Sequence, residues 1–276
     1  MAGSLLARAM GALELLAEES RGLPLQEIAD RLGMPKSGTH RLLAELIQLR
    51  YVAQDADSAR YLLTTRLMSL GFKLLGNSGI VEIVQPVLNR LATVSGELVR
   101  LAVVDNGRLP FIAKAQGARS GLRFDPDMGG EAALYCSSSG MIWLASLPEN
   151  EAIEHVVRQG FTLPEQRGAR APKTIAEVMI FVADARERGY SQAIETWGPG
   201  MSSMAATVRD PHSGRVTGVV SIAGPTVRLT QEAMEKLAPE LFAAAEELSS
   251  VSALSEYLRS INPAAGQLAS GSQRAA

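Results

Sequence analysis

The stretch LQEIADRLGMPKSGTHRLLAEL, Leu25 to Leu46, decides how the N-terminal part of the chain is read. Leu25, Ile28, Ala29 and Leu32 follow the i, i+3, i+4, i+7 spacing of a short amphipathic helix. Gly33 ends it, because the residue after a helix often takes a left-handed conformation that glycine adopts without strain. Pro35 opens the next helix, where its missing N–H costs little. Helix, a turn of about three residues and a second helix make the helix-turn-helix layout.

At roughly 100° per residue, the second helix turns Leu42, Leu43, Leu46 and Leu49 to one side, with Thr39 beside them. Ser37, Arg41, Ala44 and Gln48 turn to the other side, flanked by Lys36 and His40. Short side chains let a helix sink into a major groove about 12 Å wide, and an arginine can fork onto guanine O6 and N7. Lys36, Ser37, His40, Arg41 and Gln48 are therefore candidate contacts to double-stranded DNA. Residues 51–54 and 60–63 read as two short strands around the polar turn DADSA. A hairpin after a recognition helix is a wing, and Arg60 joins the candidates as a contact to phosphate or the minor groove. Upstream, Leu5, Leu6, Met10, Leu13, Leu15 and Leu16 give a first helix a buried stripe. Glu14, Glu18 and Glu19 interrupt what would otherwise resemble a signal peptide.

The chain has 276 residues, enough for two domains, and 46% of them are hydrophobic. With 27 basic and 29 acidic residues the formal net charge is −2, so any affinity for a polyanion has to be local. The single cysteine, Cys136, allows no intrachain disulfide and suits a reducing compartment. No apolar run approaches the ~18 residues of a membrane span. A cytoplasmic protein without a membrane partner is expected.

Past the winged unit, assigned to residues 1–63, residues 64–95 read as a helical linker with Pro86 inside its second helix. From Glu97 the pattern changes. Two β-rich runs surround Asp105-Asn106-Gly107, a strong hairpin signal, and SGLRFD reads as a third strand. Helices are expected at 137–147, 149–159 and 174–189, strands at 190–195, 203–209 and 215–223, and a long helix at about 230–260. Helices around a mostly antiparallel sheet make an α+β domain, residues 96–260. The polar tail, residues 261–276, is expected to be disordered.

No nucleophile elbow, P-loop, dinucleotide-binding glycine motif or metal-ligand spacing is present. The histidines, His40, His155 and His212, are dispersed. No cofactor, metal or catalytic residue is expected. YCSSSG and GPGMSSMAA cluster hydroxyls and glycines, the groups that orient a polar ligand in an apolar pocket; turn and helix-capping chemistry is the alternative account. Phe124, Tyr135 and Trp197 are candidate aromatic contacts.

The segment LQEIADRLGMPKSGTHRLLAELIQLRYV resembles the winged helix of the IclR family of bacterial transcriptional regulators. The likeness continues through ARYLLTTRLMSLG and, more loosely, to about Ser260, with GPTVRLT near residue 224 as a second family motif. It departs from the family pattern at Gly38, where a threonine is usual, and at Pro24, which leaves Glu27 without its capping-box partner. The resemblance implies a GAF-like effector domain, dimerisation near the linker, and a homodimer or homotetramer on two operator half-sites. It places effector contacts at Ser137, Ser138, Ser139, Ser203, Ser221 and Ala223. Glu195 is the acidic residue remaining where the family often carries a run of them. A less polar wall there favours an aromatic or otherwise partly apolar organic acid over a small keto acid. The resulting reading is a ligand-responsive regulator of a catabolic operon for an organic acid. Two other readings stay open on the sequence: a small-molecule sensor whose winged helix contacts proteins, and an enzyme using the effector cleft.

Overall fold

A computed structural model of the chain describes residues 4–78, 80–126, 129–161 and 167–251. It divides into two compact units, residues 1–77 and 78–276.

The first unit contains α1 (Leu5–Ala17), α2 (Leu25–Arg31), α3 (Lys36–Gln48), β1 (Val52–Gln54), β2 (Tyr61–Leu63) and α4 (Arg66–Ser78). Its core joins Ala12, Leu13 and Leu16 of α1 to Ile28, Leu42, Leu43 and Leu46, and is closed by Val52 and Tyr61 of the wing. Gly33, with φ +60, makes the turn between α2 and α3. Pro35 is the N-cap of α3 and not its first helical residue. Pro24 caps α2 without a side-chain bond, and Glu27 instead pairs with Arg31 one turn on. The stripe expected on α1 is buried only in part. Packing on the core begins at Ala9, and Leu5, Leu6 and Met10 remain exposed. Leu49, expected on the buried side of α3, is exposed at its C-cap. On α4, Met68, Leu70, Phe72 and Leu74 are exposed as well.

The second unit opens with α5 (Ile80–Ser95), followed by β3 (Leu98–Val103), β4 (Phe111–Gln116), α6 (Ser138–Ala145), α7 (Glu149–Gln159) and α8 (Ile175–Arg188). It closes with β5 (Ser191–Ile194), β6 (Met201–Arg209), β7 (Val216–Pro225) and α9 (Gln231–Ser250). The five strands form one antiparallel sheet in the order β4-β3-β7-β6-β5. Side chains alternate across the pleat. Val99, Leu101, Met204, Ala206, Val220 and Ile222 point to the face covered by α5 and α9. Ala102, Ala205 and Val219 point to the face covered by α6, α7 and α8.

Local chemistry fixes the connections. Asn106 and Gly107, with φ of +48 and +82, make the β3–β4 hairpin. Thr174 caps α8 by accepting from the Glu177 amide, and Gly189 ends it in a left-handed conformation. Thr230 caps α9 in the same way, accepting from the Ala233 amide. SGLRFD is not a strand: Gly121, at φ +76, turns the chain away, and just before β4 Pro110 makes an isolated bridge with Glu131. GPTVRLT also acquires a physical role. Arg228 forks onto buried Glu97 at 2.6 and 3.0 Å and donates to the Leu122 carbonyl at 2.8 Å. A Cβ at Gly224 would lie 2.5 Å from that carboxylate, so a side chain there would displace Glu97 from its present place in the ion pair. The last helix, expected to reach about residue 260, ends at Ser250 with Val251 extended; residues 252–260 and the tail at 261–276 lie outside the described residues.

Candidate functional site

Two surfaces carry the candidate residues, one in each unit. In the first, Lys36, Ser37, His40, Arg41 and Gln48 are all exposed on α3, and no hydrogen bond or ion pair among the described residues engages their side chains. The opposite face is locked down: Thr39 is fully buried and its hydroxyl donates to the Pro35 carbonyl at 3.2 Å. The outward face is thus presented by a fixed helix with two cations in its first turn and a half. The wing is anchored at its root. Leu23 and Tyr61 exchange backbone bonds at 3.0 and 2.8 Å, and a Cβ at Gly22 would lie 2.5 Å from the Tyr61 carbonyl. At the tip, Asp55 accepts from the Ser58 amide and hydroxyl at 2.8 and 2.6 Å. Arg60 donates one guanidinium N–H to the Gly22 carbonyl at 2.7 Å, so it also holds the wing to the turn after α1.

In the second unit, a cavity of about 120 Å³ lies between the sheet and α6. Its floor is set by register. Arg100 pairs with Ser221, and Ser221 with Ala205; alongside, Ala223 pairs with Ser203, and Ser203 with Ala193. These small residues keep the floor low. The roof is the start of α6, where Ser137 accepts from the Gly140 amide at 3.0 Å. The Ser191 hydroxyl holds that segment by donating to the Ser138 carbonyl at 2.7 Å, as does the Thr196 hydroxyl by donating to the Cys136 carbonyl at 2.6 Å. A Cβ at Gly140 would lie 2.4 Å from the Leu134 carbonyl oxygen, so α6 approaches this closely only with glycine there. Phe124 and Trp197 meet edge to face at 5.3 Å and form one wall. Gln116 fixes Phe124 in place by donating to its carbonyl at 2.9 Å.

Of the effector candidates, Phe124, Ser137, Ser138, Ser139, Trp197, Ser203, Ser221 and Ala223 line this cavity. Tyr135 and Glu195 do not. The Tyr135 ring enters the core beneath α6, against Phe161, and its hydroxyl receives a bond from Arg167 at 3.2 Å. Glu195 is a turn residue with φ +53, and its carbonyl accepts from the Arg170 amide at 3.1 Å. Lining residues missed in the sequence include Phe111, Glu131 and, most consequentially, Arg100. One signal was available, a single cation inside the otherwise apolar run LVRLAVV. Burial lowers its pKa to about 10, leaving it charged at neutral pH. The Cys136 thiol is buried, which pushes its pKa up to about 11, and it is a neutral packing group. Among the described residues no cluster of His, Cys, Asp and Glu could hold a metal ion, and no helix is long and apolar enough to cross a membrane.

Two family models match the chain: the IclR helix-turn-helix domain over residues 5–56, and the C-terminal domain of the bacterial transcriptional regulator IclR over residues 72–250. The transcriptional repressor IclR of Escherichia coli (strain K12) is 29% identical over 245 residues, 88% of this chain and 88% of its own. An IclR transcriptional regulator from Alicyclobacillus acidocaldarius has a TM-score of 0.76 at 26% identity, over 89% of this chain and 97% of that one. An IclR homolog from Microbacterium hydrocarbonoxydans, complexed with 4-hydroxybenzoate, has a TM-score of 0.70 at 21% identity, over 90% of this chain and 100% of that one. At 21% identity that last likeness is one of fold.

Proposed function

The chain belongs to the IclR family of bacterial transcriptional regulators, and from that premise we propose that it binds a two-half-site operator as a homodimer or homotetramer and releases or grips it in response to a small organic acid. The observation that carries the proposal is the cavity of the second unit, floored by serine hydroxyls and walled by aromatic rings. Its lining combines apolar surface with a few convergent polar groups, the usual make-up of a small-ligand site. The 4-hydroxybenzoate complex of the Microbacterium homolog supports an aromatic acid as the effector class.

On the DNA side, Arg41 reads a base edge, Lys36 and the start of α3 hold phosphate, and Ser37, His40 and Gln48 complete the contact face. Arg60 positions the wing. A single winged helix makes few phosphate contacts, so two of them joined through their C-terminal domains raise the effective concentration of the second. The exposed Leu5, Leu6 and Met10 of α1 and Met68 and Phe72 of α4 are apolar surface that self-association would cover, and they support it. The ligand acts by favouring one arrangement of the paired winged helices, and can shift operator affinity only by its own preference between arrangements. The cavity is read as a binding site and not a catalytic one, because its neighbouring thiol is un-ionised and lies in the core. Such a regulator works in the cytoplasm, on genes for the catabolism of its acid.

Fluorescence anisotropy with the DNA upstream of its own gene tests this. The expected result is sequence-selective binding whose midpoint moves by about tenfold or more, roughly 1.4 kcal/mol, at saturating ligand. An operator affinity indifferent to every ligand shown to occupy the cavity would overturn it.

A further inference from the structure

Within the cavity one group lacks its counterpart. The Phe111 ring covers the guanidinium of Arg100 at 3.6 Å, and Phe124 lies 5.7 Å away. A ring on the face of a guanidinium leaves its in-plane N–H donors available. The Nε of Arg100 is buried and has no hydrogen-bond partner. The one carboxylate among the described lining residues, Glu131, is engaged with Arg108 at 3.1 Å. A buried donor without a hydrogen-bond partner is costly, and the cost is recovered when an acceptor with matching geometry arrives.

We propose that Arg100 takes the carboxylate of the effector in a forked ion pair, and that the effector is an aromatic monocarboxylate of a single ring. The assignment rests on reading this cavity as the effector site. Three features fix the class. A carboxylate's two oxygens match the planar fork of an arginine side by side, and a doubly charged phosphate, which could match it too, would meet only one cation here and the Glu131 carboxylate. Arg100 is the one cation among the described lining residues and Glu131 is among them too, so a second carboxylate would meet repulsion. The volume of about 120 Å³ is close to the ~150 Å³ apolar cavity that accepts benzene, and the rings of Phe124 and Trp197 offer edge and face contacts to a flat ring. The hydroxyls of Ser138, Ser139 and Ser203 are left to meet a polar ring substituent.

Isothermal titration of the full chain tests the assignment with benzoate, 4-hydroxybenzoate, benzamide and pyruvate. Benzoate and 4-hydroxybenzoate are expected to bind, with benzamide, the neutral isostere, weaker than benzoate by at least about tenfold. Arg100→Gln should remove that preference, and Arg100→Lys should keep part of it, because it retains the charge and loses the fork. The benzoate–benzamide comparison on the unaltered protein needs no variant to fold. Equal affinity for acid and amide, full benzoate affinity in a folded Arg100→Gln protein, or binding of pyruvate alone or of none of the four would each overturn the proposal. The regulatory reading fails separately. If benzoate binds through Arg100 and leaves operator affinity unmoved, regulation falls and this assignment stands. If an uncharged compound or pyruvate releases the operator and benzoate does not bind, the reverse holds.

Discussion

Replacing Gly140 with alanine sets two opposed effects against each other, and the geometry decides between them. Gly140 is a buried residue in the first turn of α6. Alanine is worth up to about 1 kcal/mol more than glycine in a helix interior, and less in a first turn. Against this, the added Cβ would lie 2.4 Å from both the Cα and the carbonyl oxygen of Leu134, about 1 Å short of ordinary contact at 3.4 Å. The obstacle is backbone, and Leu134 is itself fully buried, with its amide held by Gln159 at 2.7 Å. Neither side can yield by rotating a side chain. Overpacking of this kind costs roughly 1–3 kcal/mol or more, so a net loss of about 2 kcal/mol is expected. At roughly 2–4 °C per kcal/mol for a domain of this size, the melting temperature of the full chain should fall by about 4–8 °C in calorimetry. Ser137, Ser138 and Ser139 move with the turn, so ligand affinity should fall as well. Gly71→Ala is the control, since a Cβ there meets nothing within 4 Å on exposed α4; it should gain up to about 1 kcal/mol. An unchanged or raised melting temperature for Gly140→Ala, with Gly71→Ala behaving as stated, would refute the close-approach reasoning.

Further outcomes follow from other residues. Arg41→Ala should weaken operator binding by about 1–3 kcal/mol and relax preference at one base pair, whereas Lys36→Ala should weaken binding to all sequences and flatten the salt slope by about one unit; competition against random DNA at several salt concentrations separates the two. Ser203→Ala and Ser221→Ala should each raise the ligand concentration for half response several-fold to about tenfold, with little change in melting, because the Ser221 hydroxyl reaches the Arg100 carbonyl only at 3.5 Å. Arg228→Met leaves Glu97, 4% exposed, without its cation, and should cost at least about 2 kcal/mol in urea titrations, with part recovered in the double variant Glu97→Gln, Arg228→Met. The His155 imidazole is held below its ordinary pKa by burial and by nearby Arg158, with its Nδ1 buried and unpartnered. The folded state therefore prefers the neutral ring, the unfolded chain binds more protons on acidification, and stability should fall as pH drops through the ordinary histidine range near 6.5. His155→Gln should reduce that dependence in melts between pH 5 and pH 8, and an identical pH profile would contradict the assignment.

The sequence by itself determined most of the elements and one surface. Apolar periods, Gly33 and the Asn106-Gly107 turn are short-range features, so the helices, the hairpin and most strands were legible, while SGLRFD matched a strand and is not one. The outward face of α3 was legible for the same reason, since 3.6 residues per turn alone assign Arg41 and Leu42 to opposite sides. What periodicity cannot carry is how far a neighbour extends, which is why Leu5, Leu6 and Met10 matched a buried stripe and are exposed. Nor does it carry long-range register. Arg100 and Ser221 are 121 residues apart, yet they stand opposite each other because β3 pairs with β7. The eight effector candidates that line the cavity come from loops, a helix start and two strands, and only the packing of α6 on the sheet assembles them. The same packing turns Tyr135 into the core and makes Glu195 a turn. A strand's alternation says that a side chain points to one face or the other; whether that face meets core, solvent or a cavity is decided by what covers it, and for Arg100 the covering is Phe111, Phe124 and the first turn of α6.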